Sequence, residues 1–178
     1  MLDHMLRAEK EGLIDHVGIC EEVDTFMFEG FDTVSMNLIF TLMNLALFPD
    51  MQEKCIQEIQ QNISCDLGHL DMQKLNSLKY VDCFIKESQR LYPSVPIIVR
   101  ECTSDLALPN NILLPKGTQI NIHIFDIHRN PKYYKNPEEF RPERFILTES
   151  EKRHPFAFIP FSAGQRNCIG KSKNMPFR

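Results

Sequence analysis

Apolar and polar positions change their rhythm several times along this chain. From about residue 15 to residue 48 no proline interrupts the run, and Pro49 closes it, which predicts one long helix. The first half of that stretch is acidic and amphipathic. The second half, Thr33 to Pro49, carries no charge and is interrupted only by Ser35, Asn37, Thr41 and Asn44. It falls just short of a membrane span, and a helix apolar on most sides reads as a core helix. Pro49-Asp50 then opens a second helix over "MQEKCIQEIQQNI", with proline at a start position where its missing N–H costs nothing. A polar loop to about Leu70 leads into a third helical region, "DMQKLNSLKYVDCFIKESQRLY", which ends before Pro93.

After "PSVP" the apolar runs shorten to "IIVRE", "LAL", "ILL" and "TQINIHIF", separated by turn residues. In "QINIHI" isoleucine alternates with Asn121 and His123, the period of a half-buried strand. Leu114-Pro115-Lys116-Gly117 fits a type I turn, proline second and glycine fourth. These runs predict a small antiparallel sheet. From His128 to Pro160 proline, aromatics and charge dominate, which predicts an ordered irregular stretch. The fold class is mainly helical with small antiparallel β-sheets. The long apolar helix needs cover that few other helices here could supply, so the sequence is expected to be part of something larger.

Composition narrows the function classes. A net charge of -4 over 178 residues, with no sizeable basic run, argues against a nucleic-acid partner. The six cysteines, Cys20, Cys55, Cys65, Cys83, Cys102 and Cys168, form no C-x-x-C pair and match no zinc spacing, so reduced and mostly buried thiols are expected. In such a cytosol-facing compartment the sequon Asn62-Ile63-Ser64 is expected to be silent. The polar, charged N-terminal stretch is expected to act neither as a signal nor as an anchor.

Chemistry concentrates in "FSAGQRNCIG". Gly164 and Gly170 flank Cys168, letting the backbone turn tightly and approach a planar ligand, and Arg166 places positive charge two residues away. Positive charge and backbone N–H groups favour thiolate over thiol. With Phe161 the segment resembles the haem-binding signature of cytochrome P-450, F-x-x-G-x-R-x-C-x-G, and every fixed position is met. The resemblance implies that Phe161, Arg166, Cys168 and Gly170 belong to a haem site, with Cys168 the axial thiolate of the iron. Such a ligand pushes electron density onto the metal and favours O–O cleavage.

Further motifs follow the same family. Glu87 and Arg90 in "KESQRLYP" lie three apart on one helix face. The resemblance pairs them with Arg144 of "RPERF" in a buried structural network behind the cysteine loop. In "EEVDTFMFEGFDTVS", Glu29, Asp32 and Thr33 share a helix face at i, i+3 and i+4. An acid and a hydroxyl on the inner face of a buried helix are costly unless used. Gly30 permits local distortion. The family's oxygen-activating motif implies that Asp32 and Thr33 deliver protons. "EVDTFMFEG" is similar to the fatty-acid ω-hydroxylase branch, family 4, in which the glutamate matched by Glu29 forms an ester with a haem methyl group in many members. Phe31 and Val34 depart from the His and Thr usual there. Arg100 in "VPIIVRE" matches an arginine that reaches a haem propionate. Val95, Ile97 and Ile98 match substrate-pocket positions, and His128 and Arg129 a structural motif.

Together these imply a single partial domain over residues 1–178, the C-terminal part of a cytochrome P-450 catalytic domain, incomplete at both ends. Its parts are a long central helix at about 15–48, the E-x-x-R helix at about 77–91, a small sheet at about 97–125 and the haem-ligand loop at 161–170. The resemblance implies a haem b monooxygenase using O2, a lipid-like substrate and electrons from NADPH through NADPH-cytochrome P-450 reductase. For the full-length family member it implies the cytosolic face of the endoplasmic reticulum membrane. The closing "KSKNMPFR" is polar and carries Pro176, where the family has a long apolar helix, so an inactive truncated fragment with little or no haem is the alternative.

Overall fold

The computed structural model describes residues 1–63, 72–146, 148 and 153–171. The loop expected to run to Leu70, Cys65, Ser64 of the sequon and the tail from Ser172 lie outside the described residues. In chain order the elements are helices α1 (Leu2–Lys10), α2 (His16–Leu47), α3 (Pro49–Asn62), α4 (Met72–Ser77) and α5 (Lys79–Leu91). Strands β1 (Ile97–Glu101), β2 (Leu106–Leu108), β3 (Ile112–Leu114) and β4 (Gln119–His123) and the single-turn helix α6 (Ile124–Ile127) follow. The chain forms two units, Met1–Met36 and Asn37–Arg178.

In the first unit Glu9 and His16 approach to 3.3 Å, and Ile19 is buried. Phe28 and Phe31 are 71% and 74% exposed, and Met27 and Val34 are exposed with them. The expectation of a buried core helix fails here and over the apolar second half as well, where Leu38, Ile39, Leu42 and Leu47 are exposed. Within the unit only the short α1 is available to pack against it. By length and composition α2 also meets the criterion for crossing a membrane, and one edge of its C-terminal part, at Asn44 and Leu45, is engaged in protein packing.

That packing belongs to the second unit. Its core joins Cys55, Phe84, Leu91 and Phe140, with Leu45, Phe48 and Met51 against them. Phe48 stacks on Phe140 at 4.7 Å and Phe84 meets the same ring edge-on at 5.0 Å. Asn44, buried, donates from Nδ2 to Ser88 Oγ at 3.0 Å and to the Phe40 carbonyl at 2.8 Å. A polar interruption of the apolar run is thus a cross-helix bond, as a buried amide requires.

The third helical region is two helices, broken at Leu78. The α5 N-terminus has no capping side chain of its own. Glu58 of α3 replaces it, accepting the N–H groups of Tyr80 at 2.8 Å and Val81 at 2.9 Å. A carboxylate there satisfies free donors and complements the helix dipole.

The expected single sheet is two separate antiparallel ladders. β1 pairs with β4 in the register Ile98↔Ile122 and Arg100↔Ile120, and β2 pairs with β3. The expected type I turn is also corrected. The Thr118 N–H bonds the Pro115 carbonyl at 3.1 Å, so Gly117 is third in the turn, with φ +84°. That is type II geometry, which requires positive φ at this position and therefore glycine. The stretch after α6 is held by single 3₁₀ turns at Pro142–Phe145 and Pro155–Ala157.

Candidate functional site

Two polar assemblies dominate the second unit. The first is buried. Glu87 and Arg90, one helical turn apart on α5, are both fully buried, and Arg144 nearly so. Arg90 grips Glu87 with Nε at 2.7 Å and Nη2 at 2.8 Å. Its other donors reach the carbonyls of His128 at 3.0 Å, Pro137 at 2.7 Å and Glu139 at 3.2 Å. All five guanidinium N–H groups are thereby used. Glu87 also accepts the Arg141 N–H at 2.8 Å and lies 3.3 Å from Arg144 Nε. Arg144 holds the carbonyls of Lys135 and Asn136. Burial draws its pKa below the usual guanidinium value, with Glu87 opposing. The planar fork of arginine explains why two such residues can organise an irregular stretch that lacks ladder bonds.

The second assembly is exposed. The Cys168 N–H donates to the Phe161 carbonyl at 2.9 Å, and the Asn167 N–H to Gly164 at 3.2 Å, closing the loop on itself. Gly164 has φ +82° and Ser162 φ +61°. The turning role falls to these two positions; Gly170 has no positive φ, and a Cβ built there would make only ordinary contact with the Cys168 sulfur, at 3.7 Å. Arg100 on β1 anchors the loop, donating from Nη2 to Ser162 Oγ at 3.0 Å and to the Arg166 carbonyl at 3.4 Å. Cys168, Arg166 and Gly170 are exposed and Phe161 is half-buried.

The remaining positions sort differently from expectation. Val95 is half-buried. Ile97 and Ile98 are neighbours on a strand, and the pleat sends them to opposite faces, so they cannot line one surface together. Ile98 shares its half-buried face with Arg100, whereas Ile97 is exposed beside Val99. Glu29, Asp32 and Thr33 belong to the first unit. Glu29 and Asp32 are exposed rather than on the inner face of a buried helix, for the same lack of packing partners. The Thr33 hydroxyl donates back to the Glu29 carbonyl at 2.7 Å, a bond helical threonines commonly make.

Sequence reasoning missed Tyr134 and Ser162 and assigned no contacts to Arg129, which it reads only as part of a structural motif. Tyr134, buried under the Arg90 guanidinium at 5.0 Å, donates its hydroxyl to the Ala157 carbonyl at 3.0 Å. Arg129 ties its Nη2 to the Leu91 carbonyl at 2.6 Å and lies over the Phe125 ring at 3.6 Å. Ser162 has a left-handed backbone that its residue type does not announce. A cleft of about 890 Å³ on the Arg144 side is lined by Lys132, Lys135, Arg141, Arg153 and His154 among others, and holds none of the loop residues.

A mainly helical scaffold, locked by a buried acid–arginine network and presenting one cysteine from a self-closed loop, matches the class the motifs imply. The chain belongs to the cytochrome P450 family, whose model matches residues 1–172. It is 61% identical over 175 residues to cytochrome P450 4p1 of Drosophila melanogaster, covering 98% of this chain and 34% of that protein. Probable cytochrome P450 4ac1 of the same fly is 53% identical over 171 residues, covering 96% and 33%. Cytochrome P450 4V2 of Mus musculus is 42% identical over 163 residues, covering 92% and 31%. These relatives are family 4 cytochromes P450, and the chain spans about a third of their length.

The family implies a haem cofactor, and the donor set fits one. Among the described residues no three His, Cys, Asp or Glu side chains gather to hold a metal ion by themselves. A lone exposed sulfur suits a metal whose other ligands arrive with a macrocycle.

Proposed function

We propose that this chain supplies the haem-ligand loop and supporting wall of a haem-thiolate monooxygenase that places one oxygen atom of O2 into an apolar C–H bond. The substrate class we propose is a fatty acid or related lipid, hydroxylated at its ω end, with electrons passing from NADPH through a reductase at the endoplasmic reticulum membrane. The observation that carries the reading is the exposed Cys168 thiol on a loop closed by its own backbone and anchored by Arg100. Haem, when bound, supplies the redox chemistry of oxygen activation. Cys168 would supply the sulfur that holds the iron, and Arg100 and Arg166 would meet the carboxylates of the haem with charge-assisted bonds. Phe161 and Gly170 would flank the ligand. The buried trio Glu87, Arg90 and Arg144 would hold the wall behind it. Asp32 and Thr33 would move protons, Glu29 would carry the ester link, and Val95 and Ile98 would contact substrate. Ile97, on the opposite face of β1, fits that contact less well.

The exposed apolar residues of α2 favour a second reading, in which the chain as it stands holds haem weakly and does not turn over. One experiment decides between them. The chain is loaded with haem, reduced and exposed to CO. The long-wavelength Soret band of a thiolate-ligated haem supports the first reading, and its absence with Cys168 intact overturns it for this chain.

A further inference from the structure

The cysteine loop hangs from the buried charge network through side chains that belong to neither. His128 has no exposed surface. Its carbonyl accepts Arg90 Nη1 at 3.0 Å, and its ring Nε2 accepts the Ile159 N–H at 2.9 Å. The Ile159 carbonyl in turn accepts the Ser162 N–H at 3.0 Å, and the Phe161 carbonyl accepts the Cys168 N–H at 2.9 Å. Arg90, His128, Ile159, the Ser162 turn and Cys168 therefore form one connected path. Tyr134 runs beside it, with its ring under Arg90 and its hydroxyl on Ala157, two residues before Ile159.

A buried histidine is often mere filling, but this one is placed at a cost to itself. Its Nδ1 makes no well-formed hydrogen bond among the described residues, and the nearby backbone of Arg90 and Gln89 compensates it only in part. An aromatic hydrocarbon would fill the space beside Phe158, 5.1 Å away, without stranding a buried nitrogen. What the imidazole adds is the acceptor for Ile159. To accept at Nε2 the ring must be neutral with its proton on Nδ1. Burial agrees, lowering its pKa to about 4.

We infer that His128 is the positioning residue of the cysteine loop, fixing through its bond to Ile159 where Cys168 is presented relative to the Arg90 network. A ligand site is only as well defined as the shell that holds it. The value of this positioning for haem rests on the proposed role of Cys168, but the bond and its test do not.

The test is peptide-resolved hydrogen exchange on the full chain without haem, comparing wild type with His128→Phe and His128→Gln. Glutamine can reach the Nε2 position with an acceptor, and phenylalanine cannot. Exchange over 157–168 should quicken about tenfold or more in His128→Phe, as expected for a part-buried N–H deprived of its acceptor, and return toward wild type in His128→Gln. Unchanged exchange in His128→Phe overturns the inference, as does equal quickening of α5 peptides, which marks general loosening. Should His128→Phe not fold, His128→Asn against His128→Gln decides. Asparagine mimics only Nδ1, so it should exchange faster, and equal rates overturn the inference. A parallel CO spectrum keeps the two readings apart: no long-wavelength band even in wild type sinks the haem proposal while leaving the exchange result standing.

Discussion

The buried trio and the cysteine loop use polar groups in opposite ways. In the trio every donor of Arg90 is spent inside the protein, and Glu87 is surrounded by donors. In the loop the backbone and the Ser162 hydroxyl are satisfied, while the thiol of Cys168 is left open. A fully paired buried charge has nothing left to offer a ligand; its worth is in fixing geometry. An exposed sulfur contributes almost nothing to stability, and its worth is in what it can bind.

The contrast can be broken by substitution. Arg90→Ala should have the largest effect, leaving Glu87 buried and half-paired at a cost of about 3–5 kcal/mol. A urea melt should show most of the chain's stability gone. His128 comes next, through pH. Its folded pKa of about 4 lies below the ordinary 6.5, so between those values the unfolded chain binds a proton that the native one refuses. Its contribution is complete above pH 6.5 and lost as pH falls toward 4, about 3 kcal/mol in all. Melts across that window should flatten in His128→Phe. Arg100→Ala removes the Ser162 and Arg166 bonds at a half-exposed site and should cost about 1 kcal/mol, with exchange quickening over 161–168. Cys168→Ser should change stability by less than about 0.5 kcal/mol, yet abolish the long-wavelength band outright. A large stability loss from that last change would end the comparison.

How much of this was legible in the sequence depends on whether the cause was local. The bounds of α2 were readable because proline and charge mark them nearby; the observed helix lies one residue inside the expected limits at each end. The E-x-x-R spacing and the cysteine loop were readable as patterns. Long-range partners were not. Nothing beside Glu58 reveals that it caps α5 across 22 residues of sequence, and nothing beside His128 reveals Ile159. The turn at Gly117 was misread by one residue because two registers of the same Pro–Gly pair obey turn rules. Ile97 and Ile98 were grouped by their match to the family's substrate-pocket segment, although the pleat of a strand divides them. Glu29 and Asp32 were placed on one face by spacing and by the family motif, and that face was taken as inner because the helix is apolar, which states a need for cover and not its presence.

One consequence follows from the distance between Glu87 and its partners. The Arg141 N–H that completes the carboxylate lies 54 residues further along the chain. During synthesis α5 therefore emerges with a charged pair that cannot be buried until the irregular stretch has followed it. That stretch, with little regular structure of its own, acts as a clasp that must close late. The order of folding in this region is thus written into its charges: helices first as loose pieces, and a fixed core only once the arginine segment arrives.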